Sequence, residues 1–396
     1  MLGKYSESGI DAKEHVLFFR IYVALNDTEE ASALFKKLGS NMTSLMLNLL
    51  LLIYSNARQP DRGHAALHEA HLLEGSEPIV DVVSYNTVMK GFAQAGHGTK
   101  CVEVLQEMCT HSIEPDDITM ATLVDACVAD NNMEVAADIA RRCQNSEKGM
   151  STVISTVFMK GLVKANCLPK ALDLYEDMKH HKCGGPDIIM FSVLIKALVD
   201  QHDLDRAVSL KEDMLAAGLV PDDIIVTHLL EGCRHAGNHA LGMRLFEEML
   251  ASGLIPSEFT LVTMLKLHGR CGAHKEAYEL VEGWEAKYGK TPSVIHYTCL
   301  MSGCLRTRNY DQAWASYELM RLNSVPLDET MVAILLPGMI AAQNWDRVMD
   351  IVRTALKGPR PIAVPPEAMN NAYSQMMADQ GQARLAMELR QHMLSL

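Results

Sequence analysis

The sequence predicts an all-α fold, a right-handed superhelical α-solenoid of about ten helix-turn-helix repeats of 35–36 residues each. Three recurring features carry this prediction: a column of small residues, a column of bulky apolar residues, and a set of Pro-Asp or Pro-Ser pairs. All of them return at the same stride along the chain. A period of this length is the signature of a repeat architecture, because each unit buries its apolar face only by stacking on its neighbours.

The small residues open the second helical stretch of each unit, at spacings of 35 or 36 residues. They are Cys101, Ala136, Ala171, Ala207, Gly242, Ala277 and Ala313. Small side chains in register are what a close contact between two helices needs. The bulky apolar column, at the same stride, is Met108, Met178, Met214, Met249, Trp284 and Met320.

The units are separated by loops that end on proline followed by Asp or Ser. These pairs are Pro115-Asp116, Pro186-Asp187, Pro221-Asp222, Pro256-Ser257 and Pro292-Ser293. Proline stops one helix and Asp or Ser can cap the next, so each unit is predicted to be two antiparallel helices with a short turn. The predicted unit starts are Ala12, Ser44, Val82, Asp117, Thr152, Ile188, Asp223, Glu258, Val294 and Glu329. Residues 1–11 are assigned to an N-terminal segment, 12–366 to the repeat array, and 367–396 to a partial C-terminal repeat that caps it.

Composition agrees with a helical array and limits the functional classes. Hydrophobic residues make up 48% of the 396 residues and aromatic residues only 6%, with 25 methionines, which suits helical packing better than a β-sandwich. Ten cysteines without a Cys-x-x-Cys pair predict a reducing compartment, with neither a disulfide framework nor a zinc finger. The net charge of −13, taken alone, argues against a nucleic-acid partner.

No membrane segment or targeting signal is predicted. The most apolar run, Leu45 to Tyr54, is about half the length needed to span a bilayer, so it is interpreted as a buried helix. The first residues lack the basic and apolar regions of a signal peptide and are not Arg-rich like a transit peptide. Either the protein is cytoplasmic or this N-terminus is incomplete.

Residues 82–116, which read VVSYNTVMKGFAQAGHGTKCVEVLQEMCTHSIEPD, closely resemble the pentatricopeptide repeat, and so do residues 188–222 and 223–257. The tetratricopeptide repeat has a similar period, but its Trp-Leu-Gly-Tyr signature is absent here. The resemblance covers nearly the whole chain, more weakly at both ends. It implies sequence-selective binding of single-stranded RNA, one base per repeat, in the post-transcriptional RNA metabolism of mitochondria or chloroplasts.

The resemblance also implies which residues read each base: the polar residue after the aromatic in the Ser-Tyr-Asn step, together with the last residue of the unit. The implied pairs are Asn48 with Asp81 and Asn86 with Asp116 for uracil, Thr156 with Asp187 and Thr298 with Asp328 for guanine, Ser192 with Asp222 leaning to guanine, and Thr227 with Ser257 leaning to purine. Ala121, Val262 and Ala333 cannot hydrogen-bond a base edge, so their units would be indifferent to the base. From the second to the ninth unit, the implied target is U-U-N-G-G-R-N-G.

Two further columns support an RNA partner. The residues that would sandwich each base are Leu45, Val83, Ile118, Val153, Ile189, Ile224, Phe259 and Ile295. They are apolar in eight consecutive units, and stacking on a base face tolerates any base. The alternative is that these residues merely start a buried helix.

A basic column follows the base-reading residues. Four lysines each lie four residues, about one helical turn, after a base-facing position: Lys90, Lys160, Lys196 and Lys266. Three further basic residues lie one turn beyond that, where the resemblance implies phosphate contacts: Lys164, Arg270 and Arg306. Ordinary solvated lysines are the alternative. Asp125, Asp200 and Glu231 interrupt this column.

Other constellations are weaker. One helix face carries His64, His68 and His71 beside Glu69, a geometry that can hold zinc. The sequence suggests no further ligand, so a solvated histidine face is the preferred interpretation. No metal or cofactor is predicted. Cys127, Cys233 and Cys304 occupy one place in three units and are interpreted as buried small hydrophobes.

No catalytic cluster stands out, and the chain is not predicted to be an enzyme. The rival to RNA binding is a protein-interaction scaffold or a subunit of an organellar ribonucleoprotein assembly. RNA-processing or ribosomal proteins would then be partners.

Overall fold

Helical hairpins fill the chain wherever the structure, a computed structural model, describes it: residues 12–73, 78–130, 132–144, 151–180, 185–357 and 361–394. The packing divides the chain into two compact units, one up to residue 194 and one from residue 195. The predicted fold class, an α-solenoid of helical hairpins, is confirmed. Single turns of 3-10 helix at Gly39–Asn41 and Gln380–Gln382 supplement the α-helices.

The helices of the first unit are α1 (Ala12–Leu25), α2 (Thr28–Leu38), α3 (Ser44–Asn56), α4 (Pro60–Leu73), α5 (Val82–Gln94), α6 (Gly98–Thr110), α7 (Asp117–Ala129), α8 (Met133–Gln144), α9 (Thr152–Lys164) and α10 (Leu168–His180). Helix α11 (Ile188–Asp200) contains the point of division. The second unit then has α12 (Leu204–Ala216), α13 (Asp223–Ala236), α14 (His239–Ala251), α15 (Glu258–Cys271), α16 (His274–Glu282), α17 (Trp284–Tyr288), α18 (Val294–Arg306), α19 (Tyr310–Leu322), α20 (Glu329–Ala341), α21 (Trp345–Lys357), α22 (Pro366–Ala378) and α23 (Ala383–Leu394).

The ten predicted repeat starts coincide with the first residues of ten helices, which we call the first helices: α1, α3, α5, α7, α9, α11, α13, α15, α18 and α20. The helix that follows each of them is called a second helix. In the first unit α3 packs on α5, α5 on α7 and α7 on α9; in the second unit α13 packs on α15, α15 on α18 and α18 on α20. First helices therefore line one side of the stack in each unit.

The two predicted columns form the core of the hairpins. Every member of the small-residue column and of the bulky column is buried. Gly242 illustrates why the first of these columns is small, because a Cβ atom there would overlap the side chain of Leu267 on the adjacent helix. The apolar run from Leu45 to Tyr54 lies within α3, where Leu47 and Leu50 are fully buried. None of the described helices is long and apolar enough to cross a bilayer.

Four of the five predicted caps are present at the starts of the first helices, whereas the Ser293 hydroxyl contacts the His296 ring at 2.9 Å. The side chains of Asp81, Asp116, Asp222 and Asp328 each accept a hydrogen bond from the backbone N–H three residues later, at 2.7 to 2.9 Å. Ser257 does the same for α15 at 3.3 Å. A cap of this kind stabilises a helix by about 1 kcal/mol. The last residue of one repeat therefore fixes where the next first helix begins.

Candidate nucleic-acid interface

The second residue of each first helix from α3 to α18 is apolar and exposed. The exposed fractions are 51% for Leu45, 55% for Val83, 61% for Ile118, 55% for Val153, 46% for Ile189, 58% for Ile224, 79% for Phe259 and 63% for Ile295. The residue that follows each of them is buried in every case, including Ser84, Thr119 and Thr260. The apolar column therefore faces solvent, and these side chains do not belong to the buried face of their helices.

Three of the predicted base-reading pairs meet in the first unit. The Asn48 Nδ2 group donates to both carboxylate oxygens of Asp81, at 3.3 and 3.4 Å. Asn86 Nδ2 donates to Asp116 Oδ1 at 3.1 Å, and the Thr156 hydroxyl lies 3.4 Å from Asp187 Oδ2. A first-helix residue and the cap of the next first helix thus present adjacent polar groups at one edge of the stack.

The predicted pairs of the second unit are not joined directly. Thr227 and Ser257 each lie about 3 Å from the hydroxyl of Thr260, at 3.0 and 2.9 Å, so the contact between them is indirect. The Thr298 hydroxyl instead donates to the Val294 carbonyl of its own helix at 2.8 Å. Asp328 caps α20.

Ser192 and Asp222 belong to different units. Ser192 is half-buried on α11, and Asp222 caps α13.

Hydroxyl groups at the third residue of the next first helix complete the two Asn–Asp pairs, and the sequence reasoning missed them. Ser84 Oγ donates to the amide oxygen of Asn48 at 2.7 Å, and Thr119 Oγ1 donates to that of Asn86 at 2.6 Å. Each amide oxygen therefore has its own donor, which holds the amide nitrogen toward the carboxylate. The signal was present as a Ser or Thr in the capping box of α5 and α7.

Hydrogen bonds keep the carboxyl groups of both pairs ionised. Burial alone would raise the pKa of Asp81, but hydrogen bonds from Ser44, Ser84 and Asn48 outweigh it and leave that pKa below its ordinary value. Burial opposes hydrogen bonding in the same way at Asp116, where the bonds from Thr119 and Asn86 prevail and lower the pKa. Both side chains are therefore hydrogen-bond acceptors at neutral pH.

The predicted basic column is exposed on the first helices of both units: Lys90, Lys160 and Lys164 in the first, and Lys196, Lys266, Arg270 and Arg306 in the second. Among the described residues, none of the seven forms an ion pair with a carboxylate. Basic residues on second helices do form such pairs, as Lys211 does with Glu248 and Arg353 with Glu388.

A shallow cavity of about 330 Å³ in the second unit gathers part of this column. Lys266, Arg270, Arg306 and Arg234 line it. The cavity forms where α15 and α18 approach closely, because a Cβ atom on Gly269 would lie 2.9 Å from the Cα atom of Gly303. Four cations around one concavity suit an anionic ligand such as a phosphate group.

Glu231, predicted to interrupt the basic column, is neutralised locally. Arg234 forms two hydrogen bonds with its carboxylate, at 2.6 and 2.9 Å, and His235 lies 3.2 Å away. The Arg234 contact is the main reason that the pKa of Glu231 is lowered. Asp125 and Asp200 remain exposed. The cavity thus keeps three cations, Lys266, Arg270 and Arg306, that have no carboxylate partner in the described chain.

The histidine face on α4 is divided. His64 and His68 both contact Glu107 of α6, while His71 Nε2 lies 2.8 Å from the Tyr85 hydroxyl and its ring stacks on His111. The three aligned cysteines are buried as predicted. Burial raises the pKa of Cys127 and raises the pKa values of Cys233 and Cys304 to about 11, so all three are neutral hydrophobes at physiological pH.

Comparison with known sequences identifies pentatricopeptide repeats along the chain. The model of the PPR repeat family matches residues 80–129, that of the pentatricopeptide repeat domain matches 209–270, and that of the PPR repeat matches 153–183, 189–219 and 295–325. A mitochondrial pentatricopeptide repeat-containing protein of Arabidopsis thaliana is 22% identical over 72% of this chain and 36% of its own length. A chloroplastic one from the same plant is 24% identical over 86% of this chain and 54% of its own. The chain thus spans about a third to a half of these relatives.

Solved structures with the same fold include the pentatricopeptide repeat protein PPR10. The maize protein matches with a TM-score of 0.51 and 16% identity, over 95% of this chain and 65% of its own. PPR10 in complex with an 18-nucleotide psaJ RNA element matches with a TM-score of 0.56 and 13% identity, over 96% of this chain and 61% of its own.

Proposed function

The chain belongs to the pentatricopeptide repeat family, and from this premise we propose that it binds single-stranded RNA along its first helices, one base per repeat. The observation that carries the proposal is the column of eight apolar side chains, Leu45 to Ile295, that are 46 to 79% exposed. Removing such a side chain from water is favourable by roughly 1.5–3 kcal/mol when burial is complete. A base inserted between two members of the column would supply that burial whatever its identity.

The Asn86–Asp116 pair has the groups that a uracil edge requires. Uracil offers two carbonyl acceptors around one N–H donor. Asn86 donates one amide hydrogen to Asp116 and accepts from Thr119, which leaves its second amide hydrogen for a base carbonyl. The ionised Asp116 carboxylate accepts from a base N–H. At the Asn48–Asp81 pair the Asn48 amide nitrogen contacts both carboxylate oxygens and the Ser44 hydroxyl, at 3.3 to 3.4 Å, so a uracil carbonyl would replace one of these acceptors.

Phosphate groups would be held by the basic column. Lys266, Arg270 and Arg306 line the 330 Å³ cavity on α15 and α18, the two helices that also carry the exposed Phe259 and Ile295 near their first residues. Each phosphate contact of a cation releases counterions, so the affinity would fall with salt concentration. The overall charge of −13 does not prevent this, because acidic residues such as Glu248 are engaged on second helices.

The biological role follows from occupancy of a transcript. A bound array would block nucleases, remodel the RNA, or recruit enzymes for processing, stabilisation, editing or translation. The PPR10 complex contains RNA, and relatives bear mitochondrial and chloroplastic names, which supports an organellar role. A protein-interaction scaffold in an organellar ribonucleoprotein assembly is the second candidate, favoured by the acidic net charge.

The test is binding of the purified chain to single-stranded RNA containing UUNGGRNG and to a scrambled RNA, at two salt concentrations. Phe259→Ser should lower the affinity for both RNAs by about 10-fold or more, since stacking on one aromatic side chain contributes roughly 1–3 kcal/mol. Leu322→Ser is the matched control, because Leu322 is 80% exposed on the second helix α19. No binding to either RNA at low salt would favour the scaffold. Equal binding to both RNAs would support RNA binding along the first helices but refute the base assignments.

A further inference from the structure

We propose that His64, His68 and Glu107 form a zinc site between the second helices of adjacent repeats, on α4 and α6. His64 Nε2 lies 2.7 Å from Glu107 Oε2, and His68 Nε2 lies 3.0 Å from Glu107 Oε1. The donor atoms of the three side chains lie within 4.8 Å of one another. The site lies outside the first helices, so it is independent of the proposed RNA interface.

The spacing of the donors suits a small divalent ion. The two histidines are four residues apart on one helix, which places both imidazoles on the same face. Ligand bonds of about 2.0–2.1 Å in a tetrahedral zinc site put neighbouring donor atoms about 3.3 Å apart. The two histidine–glutamate contacts, at 2.7 and 3.0 Å, are shorter than that value, and the full set of three donor atoms lies within 4.8 Å, so side-chain rotation must bring the donors to equal spacing around the ion. Two imidazole nitrogens and one carboxylate oxygen suit zinc, and a water molecule would take the fourth position.

The surroundings leave these donors available. The rings of His64 and Phe92 meet edge to face, with centroids 5.7 Å apart, and this contact orients the imidazole. The lysine of α6, Lys100, is engaged with Glu103 at 2.7 Å. In the described part of the chain, Glu107 has ion-pair contacts with the two histidines alone. Its negative charge therefore has no lysine or arginine partner there, and a bound cation would balance it.

A bound ion would cross-link consecutive repeats. Two of the ligands come from α4 and one from α6. His64 and Glu107 are 43 residues apart in the sequence. A ligand that binds the folded chain but not the unfolded chain raises the temperature at which the chain unfolds. Zinc should therefore stabilise the first unit while leaving the first helices unchanged.

The experiment is a calorimetric titration of the metal-stripped chain with Zn²⁺, followed by thermal unfolding. One equivalent should bind, and it should raise the unfolding temperature. His64→Ala and Glu107→Gln should each abolish this stoichiometric binding and the stabilisation. His97→Ala and Glu69→Gln are the matched controls, since Glu69 is exposed on α4, His97 is exposed directly before α6, and neither belongs to the site.

Substitution with Co²⁺ separates this site from the cysteines. A tetrahedral ion held by histidine and carboxylate gives visible absorption bands without the intense near-ultraviolet band of a cobalt–thiolate bond. The proposal is overturned if the wild-type chain binds no stoichiometric zinc, if a thiolate band accompanies binding, or if Glu107→Gln binds like the wild type. Circular dichroism of each variant establishes that it is folded.

Discussion

Asn86 and Asp116 are 30 residues apart, and the amide of Asn86 donates a hydrogen bond to the carboxylate of Asp116 at 3.1 Å. The contact joins the first helix of one repeat to the cap of the next. Asp116 also accepts from the backbone N–H of Thr119 at 2.7 Å. One side chain therefore both starts α7 and presents a polar group beside the exposed apolar column.

The base preference at this repeat should change with Asn86. The variant Asn86→Thr would recreate the Thr–Asp combination found at Thr156 and Asp187, where the hydroxyl contacts the carboxylate at 3.4 Å. We expect preference at the corresponding position to move from uracil to guanine, by roughly 10-fold, since a specific base contact is worth about 1–3 kcal/mol. Competition between RNAs that differ at this base alone measures the shift. An unchanged preference for uracil would contradict the assignment of Asn86.

Thr119 should sharpen discrimination at the same repeat without touching the base. Thr119→Val removes the hydroxyl that holds the Asn86 amide oxygen at 2.6 Å, so the amide gains freedom to turn. We expect the preference for uracil over cytosine to weaken by several-fold, with the free energy of unfolding lower by about 1 kcal/mol. The ratio of the two dissociation constants is the measurement.

Thr122→Val is the matched control for Thr119→Val. The Thr122 hydroxyl bonds to the Ile118 carbonyl of its own helix, at 2.8 Å, and makes no contact with Asn86. A loss of discrimination equal to that of Thr119→Val would show that any hydroxyl on α7 has the same effect.

The architecture could be read from the sequence because it depends on properties that repeat. Period, caps and buried columns are enforced in every repeat by the same packing, so the start of each first helix could be located, as at Asp117 and Asp223. Contacts between side chains of different repeats depend on rotamers, which the period does not determine. Thr298 illustrates this, because its hydroxyl bonds to the Val294 carbonyl instead of Asp328. Glu107 could not be foreseen as the partner of His64 for the same reason.

The salt dependence of RNA binding should report the basic cavity of the second unit. Arg270→Gln and Arg306→Gln each remove one cation from its lining. We expect each variant to bind RNA more weakly at low salt, for every sequence alike. The slope of log affinity against log salt should become shallower by roughly 0.7 for each phosphate group that the protein no longer neutralises. Affinities measured over a series of salt concentrations give the slope.

Lys275→Gln is the control for the cavity variants. Lys275 lies on the second helix α16, where it pairs with Glu279 at 3.8 Å. Its replacement should leave the slope unchanged. If Arg270→Gln also leaves the slope unchanged, the cavity does not contact phosphate.

A buried histidine should make the stability of the second unit depend on pH. His268 is 2% exposed on α15, and its Nδ1 atom lies 2.9 Å from His239 Nε2. Burial, then the neighbouring His239, lowers the pKa of His268 to about 4, against the opposing effect of Glu276. The unfolded chain, with an ordinary histidine pKa of ~6.5, binds more protons between these values, so stability falls as the pH decreases from ~6.5 toward ~4.

The variant His268→Cys isolates this effect, because Cys233 and Cys304 occupy the same place in α13 and α18 and are neutral at acidic and neutral pH. In the wild type, His268 should contribute a loss of about 2 kcal/mol in the free energy of unfolding between pH 7.5 and pH 5. That contribution should be absent from the variant. Urea unfolding of both proteins at the two pH values measures it. Parallel pH dependences of the wild type and the variant would contradict this prediction. They would mean that His268 binds its proton equally well in the folded and the unfolded chain, so that folding does not lower its pKa.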